Sequence, residues 1–219
     1  MVGKYEQFLT EFPSVHSLAK APLSRVLLVW QGLGYNRRAK FIHDAAKQIV
    51  ATHSGEVPSD TGLLAQLPGI GVNTAGAIAA YAFNKPVVFV ETNIRTVFIH
   101  HFFARHKTVR DAQLLPLLQA TLDRKNPRLW YSALMDYGFW LKRTGEKGAQ
   151  KSAHYVKQKK FSGSVREARG LLVQALTVRE GLSVVSAEKL VGEDRYVPAL
   201  RGLIKDGLIR FDKHRLFLA

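Results

Sequence analysis

The sequence contains no cysteine. That excludes disulfides, a thiol nucleophile, cysteine-ligated zinc and a cysteine-ligated iron–sulfur cluster within this chain. Acid is scarce as well. Its 17 Asp and Glu face 32 Lys and Arg, a formal net charge of +15 over 219 residues. Long hydrophobic runs are also missing. No stretch approaches the roughly 18 apolar residues that would mark a membrane span, and the opening MVGKYEQFLTEFP has no signal-peptide pattern. The reading is a soluble, intracellular protein, cytoplasmic or nucleoid-associated, with no membrane partner. The excess of positive charge predicts a polyanionic partner, nucleic acid first. Its bland counterpart is a basic soluble protein.

What is present is ample for a packed core, since 47% of residues are hydrophobic. The first two thirds read as helices joined by short turns. PLSRVLLVWQGLG is apolar at helical spacing and stops at Gly32 and Gly34. NRRAKFIHDAAKQIVATHSG repeats Ala39, Ile42, Ala45, Ala46, Ile49 and Val50, then ends at Gly55. TAGAIAAYAF, TNIRTVFIHHFF, VRDAQLLPLLQATLD and PRLWYSALMDYGFWL complete the set, with Pro127 suited to a first helical turn. Residues 143–164 are polar, basic and glycine-dotted, a linker or an extended DNA-facing segment. Beyond them, helices are expected at VREARGLLVQAL, at SAEKLVG with Ser186 as cap, and at RYVPALRGLIKDGLI. A hairpin turning near residues 212–214 follows. That order fits a winged-helix-like module over 165–219, or a plain helical cap. Pro198 counts against a long third helix unless it lies in the first turn.

LLAQLPGIGVNTAGAIAAYAF is the most specific stretch. Pro68 and Gly69 turn the chain, Gly71 permits a second tight conformation, and a helix starts near Asn73. The amides of Gly69, Ile70, Gly71, Val72 and Asn73 would then point outward at a helix N-terminus, which suits a phosphate oxygen and makes the run from Pro68 to Thr74 the DNA-binding candidate. A plain helix–helix turn has the same pattern. The hairpin carbonyls are candidates for a monovalent cation. Twenty residues past Gly71, FVETNIRTVF holds one acid, Glu91. It reads either as a helix-capping carboxylate or as the charge that performs a reaction, with Glu91 or Thr92 as N-cap. The adjacent His100 and His101 face different sides of a helix and make a poor metal pair, so no metal site is expected. Trp30, Tyr35 and Trp140 are candidates for base stacking, with core packing the stronger reading for all but Tyr35.

Taken together, LPGIGVNTAGAI, ETNIRTV, WQGLGYNRRA and YSALMDYG resemble the helix-hairpin-helix (HhH-GPD) DNA glycosylases, most closely the A/G-specific adenine glycosylase (MutY-like) branch. The likeness covers roughly residues 1–140. It implies a mainly α fold, with a helical glycosylase domain over 1–142, a basic linker over 143–164 and the module over 165–219. It also implies a base-excision-repair enzyme acting on double-stranded DNA with a mismatched or damaged base, as a monomer. The base most in keeping with the branch is adenine opposite guanine or 8-oxoguanine. The alternatives are thymine or uracil opposite guanine, or a DNA-binding protein with a weakened active site.

The resemblance puts a catalytic carboxylate at Glu91, where family members carry Asp, and an orienting Asn at Asn93. Glu is one methylene longer, about 1.5 Å along the side chain. Arg95 lies near DNA or pairs with Glu91. Gly34, Tyr35, Arg37, Lys151 and Lys157 are further DNA-contact candidates. Asn73 stands where bifunctional relatives place a Schiff-base Lys, which implies a monofunctional enzyme. Two family features are not matched. EKGAQKSAHYVKQKK stands where a four-cysteine cluster loop is expected, so no cofactor is expected. The family helix bearing a general-acid Glu has no counterpart here, so Met1 reads as an internal start or the acid is missing.

Overall fold

The computed structural model describes residues 2–146, 148–158 and 160–219, apart from the Val2 side chain. In chain order the helices are α1 (Val2–Glu11), α2 (Val15–Lys20), α3 (Leu23–Val29), α4 (Arg37–Thr52), α5 (Thr61–Ala65), α6 (Val72–Phe83), α7 (Thr92–Phe102), α8 (Asp111–Thr121), α9 (Pro127–Arg143), α10 (Val165–Thr177), α11 (Val184–Val191) and α12 (Glu193–Lys205). Three short strands lie near the C-terminus: β1 (Leu182–Ser183), β2 (Ile209–Asp212) and β3 (Arg215–Leu218). The fold is mainly α, as the helical periodicities predict.

The chain forms two compact units, residues 58–157 and residues 1–57 with 158–219. These do not follow the boundaries read from the sequence. The polar stretch 143–164 is divided between the units, and Lys147 and Lys159 within it lie outside the described residues. Its first part is pinned rather than free. A single helical turn at Gly148–Lys151 packs on α7, and the amides of Val109 and Ala153 close a parallel bridge, each at 2.8 Å.

In the 58–157 unit, α7 is buried along Ile94, Val97, Phe98 and Ile99 against Val109, Leu114, Leu118, Tyr131 and Leu141. Each such side chain contributes roughly 1.5–3 kcal/mol on burial. Small residues let α6 come close. A Cβ on Gly76 would lie 2.6 Å from Phe89 Cβ. Tyr131 is fully buried. Its hydroxyl donates to Val87 O at 2.9 Å and accepts from the Phe89 amide at 3.4 Å, tying the extended segment before α7 to α9. Burial pushes its phenol up to about 12.

The other unit has one shared core. Phe12, Leu18, Val26, Leu27, Trp30, Ala39 and Ala46 pack with Leu172, Val173, Leu176, Leu203, Leu208 and Leu216. The C-terminal region therefore does not stand as a separate module. The apolar stripes of α3 and α10 each need a partner and find it in the other, a pairing across about 140 residues that no local pattern reveals. Within this region the helices and hairpin form as expected, with a three-stranded antiparallel sheet ordered β1-β3-β2. The turn at Lys213 and His214 has φ +42 and +64, the left-handed pair that matches strand twist. Two expectations are corrected. The cap of α11 is Ser183, whose hydroxyl accepts from the Ser186 amide at 3.2 Å. Pro198 lies inside α12, past its first turn, and the helix continues through it.

Candidate functional site

The hairpin between α5 and α6 starts from a capped helix, with Asp60 Oδ1 accepting from the Leu63 amide at 2.9 Å. Gly69 has φ +75 and needs glycine there. Gly71 does not. It is the N-cap of α6 with φ −87 and ψ 172, so the expected second tight conformation is absent. A Cβ at Gly71 would meet nothing within 4 Å. The fold itself gives no reason for glycine at that point, and the bare backbone leaves room for close approach from outside. Helix α6 has no side-chain cap, so its first amides lack that partner. Gly69, Gly71, Val72, Asn73 and Thr74 are exposed, and Pro68 and Ile70 half-buried. Asn73 sits in the first turn. Its Oδ1 accepts from the Val90 amide at 3.2 Å, linking the hairpin helix to the residue before Glu91.

Glu91, rather than Thr92, caps α7. Its Oε2 accepts from the Asn93 amide at 2.7 Å, and its carbonyl accepts from the Arg95 amide at 2.8 Å. The carboxylate thus lies at the positive end of the helix dipole, half-buried. Asn93 Oδ1 accepts from Lys142 Nζ at 2.5 Å, and its Nδ2 donates to Met135 Sδ at 3.8 Å. α9 approaches so closely that a Cβ on Gly138 would lie 2.4 Å from the Asn93 carbonyl oxygen. Arg95 does not pair with Glu91. It makes a two-pronged contact with Asp111, both bonds 2.7 Å. The Arg95 guanidinium holds the Asp111 carboxyl below its ordinary value, despite partial burial.

Two residues near Glu91 carry no sequence signal for that role. Lys142 reads as an ordinary cation at a helix C-terminus. Burial lowers its pKa, and the Glu91 charge opposes that shift. Tyr81 reads as part of a small-residue helix. Its hydroxyl is buried without a hydrogen-bond partner. Its pKa is raised by burial first, then by the negative charges of Glu91 and Asp136. A cavity of about 500 Å³ is lined by Lys142 with Thr92, Arg95, Glu146, His154 and Tyr155, among others.

Other predicted residues fall elsewhere. Lys151 donates to the Ala104 carbonyl at 2.6 Å, an internal role, while Lys157 is exposed. Gly34, Tyr35 and Arg37 belong to the other unit. His100 meets Glu146 at 3.2 Å and His101 meets the Tyr137 hydroxyl at 2.8 Å. Trp30 is buried, as expected, but Trp140 is 56% exposed and stacks on Tyr137. The segment following α9 does not fit the cysteine-ligated cluster that the family likeness implies. It offers no thiolate, and it meets α7 through Glu146, which pairs with His100, and through the helical turn at Gly148–Lys151.

A hairpin with exposed amides, followed by a half-buried carboxylate on a helix N-terminus, defines the class. The chain belongs to the HhH-GPD superfamily of base excision DNA repair proteins, whose model matches residues 1–115. It is 29% identical over 227 residues to an adenine DNA glycosylase of Mycolicibacterium smegmatis, covering 94% of this chain and 76% of that protein. It is 32% identical over 142 residues to an adenine DNA glycosylase of Buchnera aphidicola, covering 63% of this chain but 40% of that protein. Its fold is similar to that of a thermostable thymine-DNA glycosylase, with a TM-score of 0.53 at 22% identity, over 62% of this chain and 64% of that one.

Proposed function

We propose that this protein is a monofunctional DNA N-glycosylase of base excision repair, working as a monomer on double-stranded DNA. The base in keeping with its relatives is adenine opposite guanine or 8-oxoguanine. The observation that carries the reading is the Glu91 carboxylate, half-buried at the N-terminus of α7 and oriented by the Asn93 amide at 2.7 Å. Breaking an N-glycosidic bond builds positive charge on the sugar, and a fixed carboxylate stabilises that charge. The base departs with the bonding electrons, water adds to C1′, and the proton that the water loses neutralises the released base. The hairpin amides hold a backbone phosphate, a contact that positions DNA without reading its sequence. Lys142 keeps Asn93, and through it the α7 terminus, in place. Asn73 supplies no amine, so no Schiff base forms there.

One observation favours a second reading, a DNA-binding protein with a weakened site. The carboxylate of Glu91 is already engaged in capping its own helix. Base release from a duplex panel, compared between wild type and Glu91→Gln, separates the two. Release from an adenine-containing mismatch by wild type alone supports the enzyme. Equal, background rates for both would leave only binding.

A further inference from the structure

The β2–β3 hairpin carries cations that the fold does not use. Elsewhere in the same unit, Arg25 is answered by Glu11, Arg37 and Arg169 by Asp206, and Arg195 by Glu167. Arg210, Lys213 and Arg215 of the hairpin and Arg179 after α10 are exposed, and among the described residues none of them forms an ion pair or a side-chain hydrogen bond. Arg210 stands opposite Phe217 and Asp212 opposite Arg215. Side chains alternate along a strand, so these four share one face. Asp212 is the one acid there and forms no ion pair with Arg215.

Two features present these cations to a partner. Arg210 and Arg215 both lie over the Phe217 ring, at 4.6 and 5.8 Å from its centroid. The ring rests on bare backbone, since a Cβ on Gly181 would lie 2.8 Å from Phe217 Cε1. Stacking orients each guanidinium and leaves its N–H groups to bond elsewhere. The second feature is the turn, where Lys213 and His214 have φ +42 and +64. Asn and Gly take that conformation at the lowest steric cost. Lys and His instead put a cation and an imidazole at the apex, and strain of this kind collects at ligand clamps. Protection of a sheet edge would explain a charge on the outer strand β2. It explains neither Arg215, on the central strand β3, nor the turn. Beside the ring lies a cavity of about 520 Å³, lined by Ser24, Arg179, Glu180, Arg210 and Phe217, among others.

We propose that the β2–β3 hairpin is a second DNA contact, holding the phosphate backbone of a duplex through Arg210, Lys213 and Arg215, with a neighbouring phosphate seated against Arg179 in the cavity beside Phe217. The proposal rests on the DNA-binding reading above and extends it to a unit that contains neither the α5–α6 hairpin nor Glu91. A guanidinium fork matches two phosphate oxygens at once. Contacts of this kind position DNA and carry no base preference. The fitting polyanion is a duplex, whose bases are already stacked. Phe217 is covered by its two guanidiniums and by Gly181, so it offers no ring face to an unpaired base. The exposed Phe211 belongs to the other face of the hairpin, opposite Leu216.

The test is a titration of a fluorescently labelled, fully matched duplex with the full chain at several salt concentrations. Wild type is compared with a triple variant, Arg210→Gln, Lys213→Gln and Arg215→Gln. The triple variant should bind about 10-fold more weakly at low salt, and its slope of log affinity against log salt should be shallower by roughly 2–3. A second variant, Lys213→Asn with His214→Gly, installs the residues that the turn prefers. It should melt no lower than wild type and still bind about 3-fold more weakly, with a slope shallower by roughly 1. That combination separates lost contact from lost folding. A triple variant with wild-type affinity and slope, beside a wild type that binds with a steep salt response, defeats the β2–β3 contact alone. A wild type that binds no duplex defeats the DNA-binding reading and this proposal with it. A loss of affinity confined to a single-stranded oligodeoxynucleotide would assign the face to unpaired strands and overturn the duplex assignment.

Discussion

The α7 terminus and the cavity of about 430 Å³ in the other unit are lined by different charges. Around Glu91 the polar groups answer one another. Glu91 takes the Asn93 amide, Asn93 takes Lys142, and Arg95 takes Asp111. A partly buried charge set of this kind is stable because each member is paired. Around Asp206 the cavity wall carries four guanidiniums, those of Arg37, Arg38, Arg166 and Arg169, and one carboxylate. The first region is fixed before any ligand arrives, which suits stabilising a charge that develops during a reaction. Carbon chemistry follows the same division. The rings near Glu91 are packed, as Phe89 on Tyr131 with centroids 4.2 Å apart, whereas Tyr35 and Phe161 of the cavity are exposed.

Four experiments test that contrast. The largest expected effect is on Glu91→Gln, which keeps the cap geometry and removes the charge. Base release should fall on the order of 100- to 1,000-fold, with DNA affinity nearly unchanged. A rate within a few-fold of wild type would remove Glu91 from the chemistry. Next is Gly138→Ala, which drives a Cβ against the Asn93 carbonyl. Overpacking against backbone should cost about 1–3 kcal/mol in chemical denaturation. An unchanged midpoint would mean that α7 and α9 are less tightly fixed than their contact distances indicate.

Asp111 gives a smaller effect with a defined pH sign. Its folded-state pKa is depressed through Arg95. The stability it contributes is therefore present above its unfolded value, near pH 3.9, and is lost as pH falls through the lower folded value. Asp111→Asn should be less stable than wild type at pH 7, by about 1–2 kcal/mol, and the two should converge under strong acid. A gap that does not narrow in acid would show the pair to be inert. The smallest effect is expected for Tyr81→Phe. Removing a buried hydroxyl without a partner should leave stability equal or raised by up to ~1 kcal/mol. A clear loss, seen in thermal melts, would reveal a partner for that oxygen in solution.

Most helices of this protein were legible from their own punctuation, α1 and α2 excepted. α4 ends where Gly55 turns left-handed, with no room for a side chain beside His16. α9 begins at Pro127, and Gly69 marks the hairpin. Glu91 was legible as an acid that either caps or catalyses, and the cap is realised. What the sequence hid were partners distant along the chain. Lys142 on Asn93 spans 49 residues and Arg95 on Asp111 spans 16. The C-terminal helices read as a separate module because their periodicity is complete in itself. Only the packing of Leu172 and Val173 among Val26 and Leu27 merged them with the N-terminal helices.

By itself, then, the sequence determined local conformation and net charge. Backbone sterics, capping and hydrophobic period act over a few residues, and +15 is a sum that needs no coordinates. Tertiary structure decided which charges meet. Coulomb pairing depends on separations of a few ångströms between groups far apart in the chain, and those distances exist only once the helices have packed.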